Sequence, residues 1–288
     1  MSDKVPQNFR QLEGFFPSKD GTSIFYRLFT PGAPCEAMIF IHGHGEHSGR
    51  YLKFAHELRN EDMALAMMDL RGNGRSEGSE VYVNSLEEYI DDVSAFYQHL
   101  QMRHGIRGKI VLFGHSLGGL ISIYWAMKNQ EKIRQLIFSS PCFGLRLPGY
   151  LQALNSVLNS IARGFIYQNP IYPPHLSHNP QEMKDYKADK LIKRKISVRL
   201  VHEMLSYARN LQNFKSFNFD FPVYILMSED MERVVDPSKT REVFEKIVAP
   251  EKRLLSFPGF YHEIFNELEQ STAFDALRVT IKEGRKFA

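Results

Sequence analysis

The sequence predicts an α/β protein built on a mostly parallel, doubly wound sheet. Three observations lead there: short apolar runs alternate with amphipathic helical patterns, a glycine-flanked serine sits where a strand runs into a helix, and a glycine-rich loop closes an early strand. Ala37–Ile41 and Met63–Met68 are continuous apolar runs suited to strands buried on both faces, and Leu136–Phe138, Val223–Met227 and Leu254–Phe257 add further strands. Ile24–Phe29 alternates only in part and suits an early antiparallel strand. The clearest helix is expected to begin at Ser85, where Ser85 and Glu88 have the spacing of a capping box. It carries Leu86, Tyr89, Ile90, Val93, Phe96, Tyr97 and Leu100 on one face.

Composition sets bounds on function. The chain has 288 residues, 43% of them hydrophobic, enough for one sizeable domain with an insertion. A net charge of +3 is small and evenly spread, and no nucleic-acid motif accompanies it, so nucleic acid is not an expected partner. Cys35 and Cys142, the two cysteines, make no disulfide framework, and Met1–Lys4 lacks the apolar core of a signal peptide. A cytoplasmic setting is the expectation. No uncharged apolar run reaches bilayer-spanning length, so any membrane contact is expected to be peripheral. Oligomeric state is left open.

The motif richest in chemistry is Gly114-His115-Ser116-Leu117-Gly118-Gly119, preceded by the strand-like Lys109–Phe113 and followed by the helix-compatible Leu120–Ala126. Glycines on both sides of Ser116 let the backbone turn sharply and neighbouring elements approach, so that the hydroxyl stands exposed as a nucleophile. The plainer alternative is a glycine-rich turn with a capping serine. A second loop, His42-Gly43-His44-Gly45-Glu46-His47-Ser48-Gly49-Arg50-Tyr51, closes the first central strand, and its glycines allow a backbone N–H to point at a reacting oxygen. His42, His44, Glu46 and His47 also have metal-ligand spacing. That reading is rejected, because no later cluster completes a site and Ser116 would go unexplained; no metal and no cofactor are expected. Asp69–Ser76 is glycine-rich and charged, and is taken as a strand-to-helix connection ordering the rim of the site.

The loop His42–Tyr51, the loop Asp69–Ser76, the elbow Gly114–Gly119 and the late segment Gly259-Phe260-Tyr261-His262-Glu263 resemble those of monoacylglycerol lipases and their lysophospholipase relatives, within the α/β-hydrolase fold. Leu176–Pro180, Tyr186 and Asp189 are similar to that family's cap, so the resemblance runs over most of residues 20 to 275. It implies a serine hydrolase without cofactor, with a core in two parts (1–142 and 218–288) and a helical cap inserted at 143–217. The resemblance puts the catalytic histidine at His262. Relatives usually carry an aspartate just before Arg-Val-Val-Asp-Pro; here Glu232 precedes Arg233–Pro237 directly. Glu232 ranks first as the acid, Asp230 second, since it requires a two-residue insertion, and Asp236 a remote third. Glutamate is chemically admissible, because the acid has only to bond the far N–H of the imidazole. The expected oxyanion donors are the backbone N–H groups of His44 and Leu117.

The expected reaction is acyl transfer from an ester of a single-chain lipid, a monoacylglycerol or a lysophospholipid. The rival class is a ligand-binding protein on a hydrolase scaffold, weakened by its altered acid segment. A peptidase of the same fold would want carboxylates near the pocket to hold a free amine, and none stands out in the sequence. Leu147–Ala162 carries no charge and sets Leu151, Leu154, Leu158, Ile161 and Phe165 along one helical face. Such a helix can line an acyl channel, touch lipid, or simply pack on the sheet. Lys184, Lys187, Lys190, Lys193, Arg194, Lys195 and Arg199 outnumber Glu182, Asp185 and Asp189, a balance suited either to anionic lipid or to a solvated face.

Overall fold

A computed structural model describes residues 10–31, 35–169 and 173–287. Six strands come first in the chain: β1 (Arg10–Pro17), β2 (Ser23–Thr30), β3 (Ala37–Ile41), β4 (Ala64–Met68), β5 (Ile110–His115) and β6 (Ile133–Ser139). Helices α1 (Leu52–Glu57), α2 (Glu87–His104) and α3 (Leu117–Lys128) lie between them. The chain then builds α4 (Gly149–Ile161), β7 (Ile166–Gln168), α5 (Pro180–Ala188), β8 (Lys195–Ser197), α6 (Val198–Asn213) and β9 (Phe217–Asn218). It returns with β10 (Val223–Met227), α7 (Pro237–Lys246), β11 (Ile247–Val248), β12 (Lys252–Ser256) and α8 (Gln270–Gly284).

Among the described residues eight strands form one sheet in the order β1-β2-β4-β3-β5-β6-β10-β12. The pairs β1–β2 and β2–β4 are antiparallel and the rest parallel, as the apolar runs require of strands covered on both faces. The two-residue period of a strand divides the core. Ile39 and Ile41 of β3 face a cluster with Tyr89 and Phe96 of α2 and Trp125 of α3, whereas Met38 and Phe40 face Phe54 of α1 and Phe274 of α8. Among the described residues no helix is long and apolar enough to cross a membrane.

Three local expectations need correction. The helix expected from Ser85 starts at Glu87, and the box is displaced: Ser85 Oγ accepts from Glu87 N (3.3 Å), while the Glu88 carboxylate reaches back to Asn84 N (2.9 Å). Glu88 also binds the Arg71 guanidinium (2.8 Å), which fixes its direction. The edge strand β1 has no counterpart in the predicted elements, since its first four residues are exposed and carry no apolar alternation. Phe165 lies beyond the end of α4, so the helical face stops at Ile161.

α4 packs on α6, burying Asn155, whose Nδ2 donates to Val198 O (3.3 Å), and leaving Tyr150, Leu154, Val157 and Ile161 between 51% and 77% exposed. An amphipathic helix that buries an asparagine and exposes its apolar side is inverted relative to an ordinary core helix.

Candidate active site

Ser116 sits between β5 and α3 with φ 51° and ψ −117°, a conformation that L-residues avoid and that costs of order 1–3 kcal/mol. The surrounding glycines make it sterically feasible. A Cβ on Gly118 would collide with Ile41 O, and one on Gly114 would press on Ser122 Oγ and Gly118 O, so the helix can start directly against the sheet only without those side chains. Leu117 opens α3; its N–H belongs to the first turn and has no partner one turn back.

Ser116 lines an open cleft together with Gly43 and His44 of the glycine loop, His262, and Leu176 and Tyr186 of the segment between β6 and β10. His262 is almost fully buried, and its Nδ1 lies 3.0 Å from Oε2 of Glu232, which is itself fully buried. The other oxygen of Glu232 accepts from Val234 N (2.7 Å) and Val235 N (3.2 Å). Burial alone would raise the Glu232 carboxyl, but the His262 charge and hydrogen bond, with the two N–H donors, outweigh it and hold it below its ordinary value. Burial pushes the His262 imidazole down, yet Glu232, through charge and hydrogen bond, carries it above 6.5. Beside it, burial and the His262 ring push His115 down to about 3, so His115 stays neutral.

Asp230 faces elsewhere. Its carboxylate accepts from Gly259 N (3.0 and 3.1 Å), and Asp236 accepts from Ser238 N (2.9 Å), capping α7. The four residues with metal-ligand spacing also diverge. His42 Nε2 accepts from Leu70 N (2.8 Å), His44 Nε2 lies 3.0 Å from Lys195 O, His47 Nε2 pairs with Asp189 (2.7 Å), and Glu46 accepts from Gly43 N (3.0 Å). Asp69 ties the loops together by accepting from Ser48 N (2.7 Å) and Arg75 N (2.8 Å), the rim-ordering part expected of Asp69–Ser76.

Several residues at the site were not singled out by sequence reasoning. Arg50 binds Glu263 through two bonds of 2.7 Å and also pairs with Glu46, to which Tyr51 OH donates. Burial raises the Glu263 carboxyl, but the adjacent guanidinium overrides this and holds it well below the usual range. Glu267, 1% exposed, accepts from Tyr261 N (2.7 Å) and His178 N (3.0 Å), with His178 Nδ1 3.0 Å away. Since Glu263 N also donates to Leu176 O (2.8 Å), the loop carrying His262 is joined to the inserted segment at two points after the imidazole, Glu263 and Glu267. The one sequence signal for this was two acidic residues four apart after His262, too common a pattern to read alone.

A family model described as "Serine aminopeptidase, S33" matches residues 32–269. Among curated proteins, the chain is 29% identical over 248 residues to the phospholipase YtpA of Bacillus subtilis, covering 85% of this chain and 94% of that one. It is 26% identical over 267 residues to a monoacylglycerol lipase of Mycolicibacterium smegmatis, covering 91% and 94%. Among solved structures, the monoacylglycerol lipase of Paleococcus ferrophilus superposes with a TM-score of 0.78 at 27% identity, over 97% of this chain and all of that one.

Proposed function

Because the chain belongs to the α/β-hydrolase family described as serine aminopeptidase, S33, and is a carboxylic ester hydrolase of the monoacylglycerol lipase and lysophospholipase type, we propose that it cleaves single-chain lipid esters through an acyl-enzyme on Ser116. The observation that carries this reading is the elbow serine sharing a cleft with an imidazole whose far nitrogen is bonded to a buried carboxylate. His262 takes the Ser116 proton as Oγ attacks the ester carbonyl, then returns it to the departing alcohol oxygen as the C–O bond breaks. Water repeats the attack on the acyl-enzyme with His262 again as base, releasing the fatty acid and restoring Ser116. Glu232 holds the imidazole tautomer and stabilises the imidazolium. The backbone N–H groups of Leu117 and His44 receive the negative oxygen.

Residues 143–217 act as the cap over this cleft, and the exposed apolar side of α4 rests on a lipid surface from a cytoplasmic setting. Such a surface supplies a water-insoluble ester directly to the cleft.

The peptidase reading meets a specific obstacle. The cleft does hold two carboxylates, Glu46 and Glu263, which the sequence did not mark as a pair. Both are bound to Arg50, so neither is free to receive a substrate ammonium. The test is a substrate panel with a fluorophosphonate probe. Labelling abolished by Ser116→Ala, with turnover of monoacylglycerols or lysophospholipids and none of aminoacyl nitroanilides, supports the proposal. Labelling that survives Ser116→Ala overturns it.

A further inference from the structure

The small net charge is unevenly divided between core and insert, contrary to the even spread expected. Residues 143–217 hold eleven Lys and Arg against four Asp and Glu, a balance of +7, and since the whole chain carries +3 the rest of it carries −4. The four acids are turned inward or held locally. Glu182 pairs with Lys53 of α1, Asp189 with His47 of the glycine loop and Glu203 with Arg199, while Asp185 accepts from Gln181 (2.8 Å) on its own helix. Two of them thus bind the insert to the core and leave its outer cations without counter-charges. Arg163 and Lys195 are exposed, and among the described residues neither side chain forms an ion pair, whereas Lys193 and Arg199 pair with Glu80 and Glu203.

These cations stand among exposed apolar side chains. The turn leaving α4 runs Ile161-Ala162-Arg163-Gly164-Phe165-Ile166 with every residue exposed, which sets Arg163 between Ile161 and Phe165. Arg163 O accepts from Arg199 N (3.1 Å) and Phe165 O from Val198 N (2.9 Å), so the turn is held against the start of α6. In the antiparallel pair β7–β8, Gln168 faces Lys195, and the two-residue period puts Ile166 on the same face as both. The guanidinium of Arg194 donates to the carbonyls of Tyr186 and Lys187, which brings the end of α5 and its exposed Lys187 beside the same ribbon.

We propose that this end of the insert docks on an anionic lipid bilayer, with Ile161, Phe165 and Ile166 entering the acyl boundary and Arg163, Lys187 and Lys195 meeting the phosphate layer. The inference rests on the lipid-surface reading of α4 and adds the class of lipid. Apolar burial alone does not tell one bilayer from another, whereas a cation within a Debye length of an anionic surface is drawn to it, and the pull weakens as salt rises. A solvated face would intersperse acids among its bases; here cationic and apolar side chains share one turn and one ribbon, and the acids face away. The same field repels the rest of the molecule, with its balance of −4, so the protein approaches the surface insert first.

The test is co-sedimentation of the full chain with phosphatidylcholine vesicles and with vesicles holding about 30 mol% phosphatidylglycerol, at about 50 mM and about 500 mM salt. At low salt the partition coefficient on the anionic vesicles should exceed that on phosphatidylcholine about tenfold, and at high salt the two should agree within about twofold. The double variant Arg163→Gln/Lys195→Gln should lose about tenfold of its binding to anionic vesicles and none of its binding to phosphatidylcholine, while Arg163→Lys/Lys195→Arg, which keeps both charges, behaves as wild type. Equal partition of the wild type onto both kinds of vesicle, or a neutralised variant that binds the anionic kind as well as wild type, makes these residues a solvated face and overturns the inference. Binding to neither kind overturns it together with the lipid-surface reading of α4. No ester is turned over in this assay, so either failure leaves the acyl-enzyme on Ser116 standing, to be judged by its own probe.

Discussion

Glu232 meets His262 with one oxygen, 3.0 Å from Nδ1, and holds the following turn with the other, through the N–H groups of Val234 and Val235. The carboxylate is thereby oriented before the histidine needs it. In Glu232→Gln the amide has one oxygen to share between imidazole and backbone, and the wrong tautomer gains. Turnover should fall about 10²- to 10⁴-fold with little change in KM. Asp230→Asn removes only part of a bond to Gly259 N and should cost less than about tenfold. A severe loss in Asp230→Asn alone, in the same kinetic assay, reverses the assignment.

The pH dependence follows from the same pair. His262 must be neutral to accept a proton, and Glu232 carries its imidazole above 6.5. The profile of kcat/KM should therefore rise with pH through a midpoint above 6.5, and in Glu232→Gln the residual activity should show that midpoint moved to lower pH. A midpoint that stays put would detach the base from this carboxylate.

Glu263 gives a stability prediction with the opposite sense. Its carboxyl is held below the ordinary 4.5 by Arg50, so its contribution is complete above that value and is lost as pH falls toward its folded-state pKa. Breaking a buried pair from one side is costly: Glu263→Gln should lose about 3–5 kcal/mol at neutral pH, and less under acid. Urea unfolding of both proteins at pH 7 and pH 3 measures the difference.

The exposed side of α4 is tested by Leu154→Glu. Leu154 is 51% exposed, so the change should hardly affect folding, while binding to phosphatidylcholine vesicles and turnover of vesicle-borne monoacylglycerol fall several-fold. Turnover of a short, dissolved ester should fall much less. Equal losses on both substrates would mean that α4 acts on the cleft and not on a surface.

Much of this architecture was legible because the signals are local. Apolar runs such as Ala37–Ile41 have few other uses than a buried strand, and Gly114–Gly119 specifies a turn whose glycines each answer a particular collision. The choice between Glu232 and Asp230 rested on alignment with Arg233–Pro237, while the geometry adds what no spacing can show: which carboxylate is aimed at the imidazole and which at Gly259. Contacts between distant segments were out of reach. The pairings Arg50–Glu263, Glu267–His178 and His44–Lys195 join residues more than 85 positions apart, and nothing in either partner's neighbourhood names the other. The edge strand β1 was missed because its exposed residues have no core face to write a pattern.

Lys193 N donates to Gly45 O (2.8 Å) and Glu263 N to Leu176 O (2.8 Å), so the inserted segment holds the glycine loop on one flank of Ser116 and the histidine loop on the other. Both joints use main-chain atoms, which substitution of side chains leaves in place but transplantation does not. An insert grafted from a relative to change substrate range would bring its own backbone path, and both loops would have to find new carbonyl and amide partners at once. Chimaeras of this protein should therefore fail by losing the alignment of their reacting groups well before they lose the ability to fold, and successful ones should be those that import the two loops along with the insert.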